Sequence, residues 1–189
     1  MKRLVVAVST LVALTALARE PGKPDPKQIA RGKYLVTIGG CNDCHTPWKK
    51  TPEGVAWDMD RMLSGHPDTL PMPAAPVNAE PWGLSFGNTM TAFSGPWGTS
   101  FSRNLTPDAE TGLGTWTEKD FIATIRNGRH LGRGRPLLPP MPWFNYREAT
   151  DDDLKAIFAY LRSIPAVKNR VPDPRPPAAG SVTASAEAR

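Results

Sequence analysis

The stretch Gly39-Gly40-Cys41-Asn42-Asp43-Cys44-His45 decides how this 189-residue chain reads. Its two cysteines are the only ones in the sequence, set three residues apart with a histidine directly behind them. On a helix, positions i, i+3 and i+4 share one face. Two thiols and an imidazole so placed suit the attachment of a c-type haem: the sulfurs form thioethers with its two vinyl groups, and the imidazole reaches the iron. Two other chemistries use paired cysteines. A thioredoxin-like redox pair calls for a βαβ context, and no clear strand pattern lies near the motif. A four-cysteine zinc site calls for a second pair, which the chain lacks. One C-x-x-C-H predicts one covalently bound haem c.

Upstream, Asp25 can cap a helix with Pro26 at its first position. Gln28 to Ile38 then run with only Gly32 as a breaker, and Gly39-Gly40 ends the helix. Glycine in a helix costs ~1 kcal/mol relative to alanine, and close approach of another helix is the return expected at Gly32. Further upstream, Lys2 and Arg3 precede an apolar run from Leu4 to Leu17 that closes on Ala16-Leu17-Ala18. This is the layout of a secretory signal peptide over 1–18, and it predicts a periplasmic protein with no transmembrane anchor after cleavage. Losing Lys2 and Arg3 lowers the net charge from +5 to +3. That charge gives mild steering toward an acidic partner, and no Lys/Arg cluster is dense enough for nucleic acid.

The iron's other axial position is empty, or held by His or Met. Met141 is the chosen ligand. It lies in Leu138-Pro139-Pro140-Met141-Pro142-Trp143, where three prolines fix the backbone and leave a thioether little entropy to lose. Met72, in Leu70-Pro71-Met72-Pro73, has the same flanking prolines but no clear helix behind it. His66 and His130 read as surface residues beside glycine turns. Met/His ligation raises the reduction potential and, by filling both axial positions, favours electron transfer over binding of oxygen or peroxide.

Thr117 and Asp120 form a capping-box-like pair at the start of a helix that Gly128 stops. Thr150 caps the last helix, Asp151 to Asp153 fill its first turn, and Leu154, Ile157, Phe158 and Leu161 make its buried stripe. Residues 46–100 read as long Pro/Gly-rich loops whose aromatics (Trp48, Trp57, Trp82, Phe86, Phe93 and Trp97) pack against haem edges and helices. The chain has 21 prolines, about twice the usual ~5%, which suits short helices on stiff loops. No internal repeat is visible. The sum is an all-α domain of three to four helices around the haem.

These residues resemble a class I c-type cytochrome over roughly 28–164. Asn104-Leu105-Thr106-Pro107-Asp108, Thr111-Gly112-Leu113-Gly114-Thr115-Trp116 and Pro140-Met141-Pro142 resemble, more narrowly, the haem modules of cytochrome c subunits of bacterial alcohol and sugar dehydrogenases. The resemblance implies a class I cytochrome c-like fold over 28–165, behind a linker at 19–27 and ahead of a Pro/Ala-rich disordered tail at 166–189. It implies His45 and Met141 as iron ligands beside Cys41 and Cys44. It also implies a periplasmic, non-enzymatic carrier of single electrons, from a dehydrogenase donor to a cytochrome or oxidase acceptor in a respiratory chain. Arg103 or Asn104 either reaches a haem propionate or belongs to a structural turn. The alternative function is a haem enzyme or gas sensor with an open sixth position, using His66 or His130 as a distal acid/base. A third possibility is a subunit that works only inside a larger dehydrogenase or oxidase.

Overall fold

The computed structural model describes residues 25–75 and 83–177. The expected signal peptide and residues 178–189 of the expected tail lie outside that range. Helix α1 spans Pro26–Ile38, opened by the proline and capped by Asp25, whose carboxylate accepts from the Lys27 amide. After α2 (Cys41–His45), α3 (Glu118–Asn127) starts on the full Thr117/Asp120 capping box and ends at Gly128 with φ 60°. A one-turn helix α4 (Trp143–Tyr146) leads to α5 (Asp151–Ser163), where the Thr150 hydroxyl accepts from Asp153 N. As Gly32 predicts, α1 and α5 cross there. A Cβ at 32 would stand 1.9 Å from the carbonyl oxygen of Ala156, so the missing side chain is what lets the backbones meet. Val36, Leu113, Phe121, Ile125, Leu154, Phe158 and Leu161 fill the core between α1, α3 and α5, together with Leu63 from the middle of the chain.

The all-α expectation is overturned. There are five helices, and the stretch read as loops holds two antiparallel sheets among the described residues. β1 (Trp48–Thr51) pairs with β2 (Gly54–Trp57). β3 (Ser85–Phe86), β4 (Ala92–Gly95) and β5 (Gly98–Phe101) form a three-stranded sheet in that order. Both tight hairpins turn on one pattern, Thr51-Pro52-Glu53-Gly54 and Gly95-Pro96-Trp97-Gly98. Proline presets φ at the second position of a type I turn, and glycine is favoured at the fourth. Gly54 and Gly98 take φ of 132° and 93°, which a side chain would strain. The strands escaped the reading because a proline inside a short run argues against strand, and four residues give too little alternation. The aromatics there divide: Phe93 is buried, whereas Trp57 and Phe86 are exposed, and Trp82 lies outside the described residues.

Residues 166–177 also depart from expectation. They form a strap across the molecule in place of the start of a disordered tail. Asn169 is fully buried, and Arg175 exchanges two 2.9 Å backbone hydrogen bonds with Thr99, adding to the edge of β5. Val171 packs with Ala92 and Phe101 in a second, smaller core. Prolines at 165, 172, 174 and 176 mark extended chain, and the composition alone does not tell a packed extended segment from a free one.

Candidate functional site

Gly40 takes the left-handed conformation, φ 64°, and turns the chain sharply from α1 into α2. Cys41 and Cys44 lie half-buried on α2 as free thiols. Burial pushes the Cys41 thiol up to about 11 and Cys44 up as well. Reactive redox cysteines are depressed instead, so the environment opposes a thioredoxin-like pair.

His45 is buried, and its Nδ1 lies 2.8 Å from the backbone oxygen of Arg103. A carbonyl can only accept, so Nδ1 carries the proton and Nε2 keeps its lone pair. Metal-ligating histidines generally make such a bond with the ring nitrogen that faces away from the metal. Burial holds the imidazole below its ordinary pKa, favouring the neutral form that can bind a metal. Neighbouring bonds fix the ring's position. The Thr46 hydroxyl donates to Asn42 Oδ1 at 2.7 Å and accepts from Leu63 N at 2.9 Å. Gly65 N donates to the His45 carbonyl at 2.8 Å, and a Cβ on Gly65 would stand 2.3 Å from the Ser102 carbonyl oxygen. The Arg103 carbonyl is thereby brought to the ring by close backbone packing.

Met141 is half-buried and packs on the main core, as Cys41 does. Tyr146, on the helix that follows, donates its hydroxyl to the carbonyl of Gly39, just ahead of the motif. Burial raises that hydroxyl to about 12, and the nearby Cys41 and Cys44 add to the effect. The structure therefore brings the Met141 segment and the C-x-x-C-H segment to one region. Met72 is elsewhere, packed on the second core with Ala92, Phe101 and Val171.

The surface reading of His66 is overturned. It is fully buried, with Nδ1 2.9 Å from Thr91 Oγ1 and Nε2 2.9 Å from the Leu70 carbonyl. Both ring nitrogens are occupied, so it is a core histidine. His130 is half-buried, edge-on to Trp116 at 5.2 Å. Burial, then the charges of Arg135 and Arg103, hold it below its ordinary pKa.

Of the two residues considered for a propionate, Asn104 is consumed structurally. Its amide nitrogen donates to Val167 O and Thr111 Oγ1, and its oxygen accepts from Thr106 N and Oγ1. Arg103 Nη1 donates to the carbonyls of Val171 and Pro172 at 3.3 and 2.8 Å and lies 3.8 Å from Asp173 Oδ1. Burial first, and the charge of Arg135 second, depress its guanidinium, with Asp173 opposing. Arg135 Nη2 is buried and has no hydrogen-bond partner among the described residues. Two guanidiniums that repel each other, one with a buried N–H that has no partner among the described residues, fit a group bearing carboxylates. The donor set fits haem c: two thiols, one metal-ready imidazole, and cationic partners for its acids. Sequence reasoning missed Arg135, Tyr146 and the Arg103 carbonyl. Four arginines between 126 and 135 were the one available signal.

No protein-family model matches the chain. Among curated proteins it is 27% identical over 175 residues to the fructose dehydrogenase cytochrome subunit of Gluconobacter japonicus, covering 87% of this chain and 29% of that one. It is 33% identical over 162 residues to the cytochrome c subunit of a quinone alcohol dehydrogenase from Komagataeibacter europaeus, covering 84% and 27% respectively. A diheme cytochrome c-type protein of Cereibacter sphaeroides is 25% identical over 176 residues, covering 87% and 49%. This chain resembles one haem module of such cytochrome c subunits. It spans between about a quarter and a half of these relatives' lengths. Among the described residues, no helix of this module is long and apolar enough to cross a membrane.

Proposed function

We propose that the chain holds one haem c and passes single electrons in the bacterial periplasm, from a dehydrogenase to a cytochrome or oxidase acceptor. Cys41 and Cys44 would attach the group, His45 and Met141 would ligate its iron, and Arg103 and Arg135 would hold its carboxylates. When bound, haem c supplies a one-electron iron couple. The protein contributes position and exclusion. The Arg103 carbonyl keeps the His45 Nδ1 protonated and the ring aimed, while Met141 would supply a sulfur ligand that excludes small molecules from the iron. The observation that carries this reading is the C-x-x-C-H helix whose histidine donates Nδ1–H to a carbonyl 58 residues away. The sequence of residues 1–18 supports export, and the relatives named as dehydrogenase subunits support the donor class.

The test is the protein expressed with its leader in a host that matures c-type cytochromes. Haem stain should survive denaturation and vanish in the Cys41→Ala/Cys44→Ala double variant. The ferric spectrum should show the weak red charge-transfer band of sulfur ligation, and Met141→Ala should abolish it. A colourless protein of bare polypeptide mass would overturn the cofactor. Rapid carbon monoxide binding by the ferrous form would instead favour an open-site sensor or enzyme.

A further inference from the structure

The Met141 loop can do little to hold itself. Within Leu138–Pro142 three of five residues are proline, so only Leu138 and Met141 carry a backbone N–H. The Met141 amide is already turned back onto the Leu138 carbonyl at 3.3 Å. A segment so poor in donors is fixed mainly by what donates to it. Such a donor comes from β5: the buried Ser100 hydroxyl lies 2.6 Å from the Pro139 carbonyl. Its other acceptor, the Phe93 carbonyl on β4, is at 3.5 Å. A hydroxyl has one proton, and the shorter contact takes it.

The exit of the same strand reaches the C-x-x-C-H segment. Three residues after Ser100, the Arg103 carbonyl accepts from His45 Nδ1. Thus β5 and its exit touch the segments of both proposed axial ligands. The strand is itself braced on both edges, by β4 along its length and by Arg175 at Thr99. A side chain here is well placed to hold a loop, because its own backbone is fixed.

We infer that Ser100 is a positioning residue for the Met141 loop, and that β5 suspends both axial positions from one strand. The inference rests on Met141 being the sulfur ligand. Ser100 would act through the Pro139 carbonyl and not on the iron; its hydroxyl stabilises the closed loop against the open one. Loss of that bond shifts the balance toward the open loop, which a competing ligand detects as tighter binding.

The experiment is titration of the ferric holoprotein with imidazole, followed through the sulfur band. Ser100→Ala should keep the band in the absence of imidazole but bind imidazole about fivefold more tightly, the ratio one neutral hydrogen bond supports. Ser100→Thr, which keeps the hydroxyl, should return the parent affinity. Thr124→Ala is the control. It removes a buried hydroxyl that bonds only within α3, to the Asp120 carbonyl at 2.7 Å, and should leave imidazole binding unchanged. Parent-like binding by Ser100→Ala with the band intact would overturn this inference alone, as would an equal shift in the Thr124→Ala control. Absence of the sulfur band from the unsubstituted protein would overturn the ligand assignment and the inference with it.

Discussion

A methyl group at residue 32 would lie 1.9 Å from the Ala156 oxygen and 2.8 Å from Tyr160 Cβ, and the nearer of these neighbours is helix backbone that cannot swing aside. In an exposed helix, exchanging glycine for alanine would be favourable by up to ~1 kcal/mol. At this crossing the sign reverses, because α1 must move off α5. Gly32→Ala should therefore destabilise by about 1–3 kcal/mol, the usual range for overpacking, read as a lower urea midpoint with an unchanged slope. Gly32 was legible because a lone glycine inside a strong helix pattern demands a reason. The roles proposed for Cys41, Cys44 and His45 come from the sequence, because haem attachment is a local requirement, met by residue types at fixed spacing. The group that orients His45 was not legible. It is a backbone carbonyl 58 residues away, and any residue type supplies one. His66 misled for the opposite reason. Gly65 and Pro67 beside it look like a surface turn, yet the turn is buried and closes against Ser102.

The helices announced themselves through their ends. Asp25, Thr117 and Thr150 each cap a helix as the sequence suggests. The strands did not, because each hairpin strand has only four residues and β2 is exposed throughout. What their hairpins do offer is the repeated X-Pro-X-Gly turn, a signal carried by the turn and absent from the strands. Between elements, the α1–α5 crossing also sets an acid limit. Arg31 Nε lies 2.9 Å from Asp153 Oδ1, and that hydrogen bond is the main cause holding the Asp153 carboxyl below its ordinary value. A carboxyl depressed by folding stabilises above its unfolded pKa, near ~4, and the benefit is lost as pH falls through the lower folded value. Asp153→Asn should lower the melting temperature slightly at pH 7, as an exposed pair allows. The difference from the parent should shrink below about pH 4 and vanish in stronger acid. Parallel melting curves for the two proteins down to pH 2 would show that the pair contributes nothing.

At the scale of the molecule, the strap ties the helical core to the sheet, and Asn169 is its knot. The side chain is fully buried and spends its whole hydrogen-bonding capacity. Nδ2 donates to the carbonyls of Ser64 and His66 at 2.7 and 2.9 Å, while Oδ1 accepts from Arg61 Nη2 and Asp68 N at 2.8 and 2.9 Å. Four partners from the 61–68 segment thus converge on one residue over a hundred positions away. Two residues further on, the strap accepts the Arg103 guanidinium through the carbonyls of Val171 and Pro172. Arg103 is also the residue whose own carbonyl meets His45. Asn169→Ala would leave the Ser64 and His66 carbonyls and the Asp68 amide without their partner in a site with no room for bulk water. Each buried group so stranded costs about 1–3 kcal/mol. Partial relaxation brings the expected total to about 2–4 kcal/mol, within the range of severe single substitutions. Asn169→Asp separates the two halves of the network, because it keeps the acceptors and loses both donations to Ser64 and His66. If the knot works through all four bonds, the aspartate variant, whose second carboxylate oxygen is forced against the Ser64 and His66 carbonyls, unfolds at least as early in urea as the alanine variant. A parent-like midpoint for Asn169→Asp would mean that the two carbonyl contacts add nothing and that the Arg61 and Asp68 bonds alone hold the strap down.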